Sequence, residues 1–321
     1  GLAIKETSQL PSSQTSVHTL VVAMAPISPR CMNWLLWLLP IVFVVFIVFN
    51  NLYDLVPLGL TGVTHVILLV TFSIVHGLKR YSMRQFLVFA AITFVISNVL
   101  ENLSVITSFP FGHYHYSDIL GLKLFLVPLA ISPAYFGAGY LAWTMAPILL
   151  GVFNAERTPF DILAQPLIAA FVMVMWDMTF DPMMATLEGQ WVWEEGGCYF
   201  GVPFSNFMGW WLCVALIYVS FSLYLCRKGS NPSTPTKLGK SYWLQAVCMW
   251  SALGLSNGAL IKNSEGFVTS PDGQTWLVSS VMQSLVLVSV FTMWFVALLS
   301  VVIILRPSRE CDKECDRTKQ E

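Results

Sequence analysis

The sequence predicts an all-α protein, a polytopic transmembrane bundle of about eight helices. Three observations lead there. Hydrophobic residues make up 56% of the 321-residue chain and charged residues 11%, against roughly 25% charged in an average soluble domain. Eight apolar runs approach or exceed the roughly 20 residues that cross a bilayer as a helix. None of the runs alternates with period two, the pattern a transmembrane barrel requires.

In order, the runs cover about 33–50, 58–77, 86–107, 122–150, 162–184, 206–226, 242–261 and 276–305. Residues 1–32, rich in serine and threonine with Glu6 the one acid, are expected to be a disordered tail; 306–321 form a charged C-terminal tail. Between them lies a single helical domain with its core at 86–226. The fourth run contains Pro128, Pro133 and Pro147, so it is expected to bend or break, because proline removes a helix hydrogen bond and crowds the preceding turn. The eighth is long enough to tilt. The stretch RKGSNPSTPTKLGK at 227–240 reads as a flexible linker.

Eight spans put both termini on one side. That side would hold Lys5 and Arg30; Lys79, Arg80 and Arg84; Arg157; Arg227, Lys228, Lys237 and Lys240; and Arg306, Arg309, Lys313, Arg317 and Lys319. The other side would hold only Lys123 and Lys262. Positive charge marks the cytoplasmic side, so both termini are expected there. A formal net charge of −1 gives no support to a nucleic-acid partner, and the seven cysteines show no zinc-site or disulfide spacing.

Within the apolar spans a few acids stand out. FVMVMWDMTFDPMMA (171–185) carries Asp177 and Asp181 four positions apart, on one helical face, with Pro182 expected to close the helix behind Asp181. ISNVLENLSVIT (96–107) places Asn98, Glu101 and Asn102 at i, i+3 and i+4. A charge at the centre of a span costs on the order of 3 kcal/mol on insertion scales, so such residues tend to face the bundle interior and mark a site. The expected topology brings both acidic segments to the outer face. So it does two aromatic-rich loops, both expected to be re-entrant. One is SFPFGHYHYSDILG (108–121), with His113, Tyr114, His115, Tyr116 and Asp118. The other is GQWVWEEGGCYFGVPFSNFMGWW (189–211), with Trp191, Trp193, Glu194, Glu195 and Asn206. Taken singly, the Trp and Tyr residues fit an interfacial belt and Glu194 and Glu195 fit solvated loop acids. Taken together, three carboxylates, two histidines and a ring of aromatics converge at one depth. An acid in apolar surroundings with no cation is favoured in its neutral form and can donate a proton. Aromatic faces can stabilise a cation. Protonation of an alkene and capture of the carbocation by water fits this set.

Three blocks, ENLSVITSFPFGHYHYSDILGLKLFLVPLAISPAYF (101–136), MVMWDMTFDPMM (173–184) and WVWEEGGCYFGVPFSNFMGWW (191–211), resemble the carotenoid biosynthesis protein family of integral membrane hydratases. The resemblance covers roughly 95–225. It implies a cofactor-independent enzyme that adds water to the terminal double bond of an acyclic carotenoid end. It places Glu101, His113, His115, Asp177, Asp181, Glu194 and Asn206 among the motif residues. On this expectation Asp177 or Asp181 protonates the alkene, and Glu101, with His113 or His115, handles the water. Trp176, Trp191 and Trp193 face the cation, and Asn98, Asn102, Tyr114, Tyr116, Glu194 and Asn206 complete the substrate site. The partners are then a lipid-soluble isoprenoid, water and the bilayer, with no metal. Three other readings compete: a protonation-initiated terpene cyclase, a Mg²⁺-dependent prenyl-diphosphate enzyme using Asp177, Asp181, Glu101 and Asn98, and a transporter with a proton relay.

Overall fold

A computed structural model describes residues 28–53, 58–155, 157–227, 238–256 and 265–307. The described residues form eight helical segments. They are α1 (Pro29–Tyr53), α2 (Leu58–Gly77), α3 (Met83–Thr107), α4 (Ile131–Leu149), α5 (Asp161–Asp181) running into a π turn at Pro182–Leu187, α6 (Phe204–Arg227), α7 (Lys240–Ser256), and α8 (Val278–Ser289) joined by a π turn at Val290–Trp294 to α9 (Phe295–Leu305). Among the described residues five stretches are long and apolar enough to cross a membrane: Arg30–Asn50, Met83–Thr107, Asp161–Leu187, Phe204–Arg227 and Val278–Leu305. Most of the expected N-terminal tail, the 228–237 part of the linker and nearly all of the C-terminal tail lie outside the described residues.

Helix α4 sits at the centre, packed against α2, α3, α5, α7 and α9. Every residue from Tyr135 to Ile148 is buried. Small residues let the neighbours close in: a Cβ on Gly137 would lie 2.7 Å from the Leu69 side chain. The outer helices show the opposite pattern, with Val95, Val99 and Ile106 of α3 turned outward, as a lipid-facing surface allows.

Of two expectations about proline, one holds and one is corrected. The fourth run is broken. Its first part forms a hairpin, β2 (Lys123–Leu124) with β3 (Val127–Pro128), and the helix starts only at Ile131. Pro182, by contrast, does not close α5. The chain stays helical to Leu187 by widening into the π turn, which accommodates the backbone bond that proline cannot donate.

At one end, the end of α3 that carries Glu101, three loops form a lid. β1 (Tyr114–Tyr116) pairs antiparallel with β4 (Trp191–Trp193), in the register Tyr114 to Trp193, His115 to Val192 and Tyr116 to Trp191. The loops expected as re-entrant are thus held to each other. A second hairpin, β5 (Phe267–Thr269) with β6 (Thr275–Leu277), packs on them: a Cβ added to Gly196 would strike the Asp272 carboxylate, and Ser270 abuts Gly201.

Candidate active site

Glu101, on the last two turns of α3, is 3% exposed. Its carboxylate accepts hydrogen bonds from three tyrosine hydroxyls: Tyr135 of α4 at 2.7 Å on one oxygen, and Tyr116 at 2.9 Å and Tyr114 on the other. Tyr114 and Tyr116 arrive by strand alternation, since successive side chains of β1 point to opposite faces. Burial, then the neighbouring Glu101, pushes both hydroxyls above the usual phenol range, which keeps them as donors. The loop that carries them is seated by Ser104, whose hydroxyl accepts from the Phe111 amide at 3.1 Å. Gly209 of α6 lets it approach: a Cβ there would sit 2.7 Å from both the Phe111 ring and the Pro110 carbonyl oxygen.

Asp177 and Asp181, each 1% exposed, stand one turn apart on α5, as the spacing requires. The Asn206 amide joins them, donating to Asp181 and, at 3.2 Å, to Asp177. Asp181 also accepts from the Trp191 indole at 2.5 Å. The two halves meet at the Tyr116 ring, whose hydroxyl bonds Glu101 and whose edge contacts Trp191 at 6.0 Å between centroids. Around them runs an aromatic wall. Tyr135 stacks on Trp210 at 4.1 Å and 2°, Trp210 meets Trp176 edge-on at 6.0 Å, and Trp176 stacks on Phe180 at 4.6 Å. The Trp176 indole N–H is buried without a partner among the described residues. Among the described residues no basic side chain makes an ion pair with any of the three carboxylates.

The structure thus brings together Glu101, Asp177, Asp181, Tyr114, Tyr116, Trp176, Trp191, Trp193 and Asn206, and leaves other expected residues apart. His115 alternates outward from β1 and bonds Glu194 on the exposed face, while His113 stands 3.7 Å from the exposed Glu195. Asn98 and Asn102 do not share the buried face of Glu101. Asn98 bonds Ser132 at the start of α4, and Asn102 accepts from the Leu126 amide at 2.9 Å, fastening the β2–β3 hairpin to α3. A Mg²⁺ site built on Asp177, Asp181, Glu101 and Asn98 would need them around one ion. Among the described residues no group of three or more His, Cys, Asp or Glu side chains is so arranged.

Sequence reading missed Tyr135 and Trp210, which look like ordinary aromatic residues of apolar spans. The signal available was a hydroxyl in SPAYF, within the first family-like block. It also missed the β5–β6 hairpin.

A family model described as carotenoid biosynthesis protein matches residues 61–270, wider at both ends than the blocks first suggest and including part of the β5–β6 hairpin. No curated protein and no solved structure matches the chain.

Proposed function

The chain belongs to the carotenoid biosynthesis protein family and is an integral membrane protein, and from that premise we propose that it is a hydratase adding water to a terminal C=C of an acyclic, carotenoid-like isoprenoid. The observation that supports this chemistry best is the unequal holding of two aspartates that share one amide. Asp181 receives strong N–H donors from Trp191 and Asn206, and hydrogen bonds of this kind favour a carboxylate. Asp177 has one long contact, to Asn206, and so is suited to carry the proton.

Asp177 then protonates the less substituted alkene carbon, and the positive charge falls on the tertiary carbon. Trp176, Trp191 and Trp210 present π faces and edges around it, and Glu101 does not compete as a base, because three hydroxyls already occupy its carboxyl group. Water adds its oxygen to the cation and gives its proton to Asp181. The product is a tertiary alcohol, and return of the proton from Asp181 to Asp177 completes the cycle. No metal or organic cofactor enters these steps. Both termini are placed on the cytoplasmic side and the three-loop lid on the other, by the distribution of basic residues.

Expression in a lycopene-producing host, followed by mass analysis of the pigments, tests the proposal. The expected product carries one added water per hydrated end. An isomeric ring-closed product of unchanged mass would make the protein a cyclase instead, and unchanged pigment would remove acyclic carotenoids as substrate.

A further inference from the structure

At the end of the bundle opposite Glu101, three cations lie on aromatic rings and none has an acidic partner among the described residues. The Arg80 guanidinium, in the turn between α2 and α3, is 5.2 Å from the centre of the Tyr81 ring and 4.9 Å from that of Trp243. Arg157, before α5, lies 5.5 Å over Trp143, and Lys79 lies 5.9 Å over Tyr242. The Trp143 indole donates to the Tyr81 hydroxyl at 2.9 Å, so the ring pair bearing one arginine is bonded to the ring bearing the other. All three ion pairs among the described residues belong to the other end. The nearby acid, Asp161, is occupied as a cap, accepting from the Thr158 amide at 2.8 Å and the Thr158 hydroxyl at 2.7 Å.

Arg157 donates to Ser222 at 2.7 Å, but its Nε and the Nη1 of Arg80 are buried with no acceptor among the described residues. A buried charged donor left unpaired is costly. Two such donors on arginines whose aromatic rings are hydrogen-bonded to each other, with no carboxylate partner among the described residues, match the oxygens of a phosphate. The cluster lies where spans end, on the side that holds most of the basic residues, and basic pockets between spans on that side suit anionic headgroups. We propose that Arg80 and Arg157, with Lys79 at the edge, form a binding site for a phosphate group, supplied by an anionic phospholipid of the cytoplasmic leaflet.

The test uses the full chain purified in detergent, with thermal unfolding followed in three conditions: phosphatidylglycerol mixed micelles, phosphatidylcholine mixed micelles, and inorganic phosphate at constant ionic strength. Phosphatidylglycerol is expected to raise the unfolding temperature by about 5 °C over phosphatidylcholine, the scale of a ligand well above its dissociation constant. Arg80→Gln and Arg157→Gln should each remove at least half of that rise. Arg84→Gln, on an exposed side chain in the first turn of α3, should leave it intact. An equal rise with inorganic phosphate supports the phosphate site and assigns it to a soluble anion. No rise in the unaltered chain, or the same rise in all variants, overturns the proposal. If the glutamine variants do not fold, native mass spectrometry of the unaltered chain decides: retention of phosphatidylglycerol over phosphatidylcholine supports the site, and equal retention overturns it.

Discussion

Asp177 and His115 come from the same family-like motifs, yet the structure gives them opposite surroundings, and this separates them experimentally. Asp177→Asn removes the proposed proton donor and leaves an amide of the same shape. Hydration should fall by about 10²–10⁴-fold, read as alcohol formed per unit of folded protein. His115→Ala breaks only an exposed pair with Glu194, of a kind worth about 0–1 kcal/mol, and activity should stay within about twofold. Equal losses in the two variants would return the histidines to the mechanism. Glu188, just past the π turn, supplies a pH dependence of stability. Burial pushes its carboxyl up to about 7, from an ordinary value of 4.5, against a smaller opposing effect of its Gln190 hydrogen bond. Between those two values the folded protein keeps a proton that the unfolded chain has released. Stability therefore falls as pH rises through that window. Glu188→Gln should flatten the curve of unfolding temperature against pH from 4.5 to 7 and raise the unfolding temperature at pH 8. Parallel curves for variant and parent would reject this.

The elements that build the site differ in how far they could be read in advance. α3, α5 and α6 are legible because an apolar helix of span length is a local property: each backbone bond closes within four residues. The i, i+4 relation of Asp177 and Asp181 is local in the same way. The β1–β4 pair is not, since His115 and Glu194 are 79 positions apart and three-residue strands carry too little pattern to announce their partner. The inward turn of the tyrosines and the outward turn of the histidines follow from that pairing and its register alone. The docking of β1 depends on the close approach of the 108–112 loop to α6, so Gly209→Ala should force the loop off its seat. A loss of about 1–3 kcal/mol is expected, together with reduced hydration as Tyr114 and Tyr116 leave Glu101. Gly239→Ala, where an added Cβ meets nothing within 4 Å, should change neither. Thermal unfolding and pigment analysis of the pair provide the check, and a wild-type Gly209→Ala protein would refute the seat.

Taken as a whole, the molecule is a bundle around a protein-enclosed α4, with its carboxylates under a three-loop lid at one end and its unpaired arginines at the other. That polarity makes a topological prediction. Reporters fused to either terminus should report a cytoplasmic location, and a reporter inserted at the exposed Glu195 should report the opposite side. The reverse pattern would invert the proposed orientation. The sequence by itself determined the helical class, five of the segments long enough to span, the acids out of place in apolar runs and the family. Each of these is written in composition, in spacing along one helix, or in contiguous blocks. Only the tertiary structure decided that Glu101 is held by Tyr114, Tyr116 and Tyr135, that Asn206 joins the two aspartates, and that the histidines face away. Those contacts link segments 13 to 79 positions apart. Their partners are selected by packing around α4 and by strand register, which no local pattern encodes.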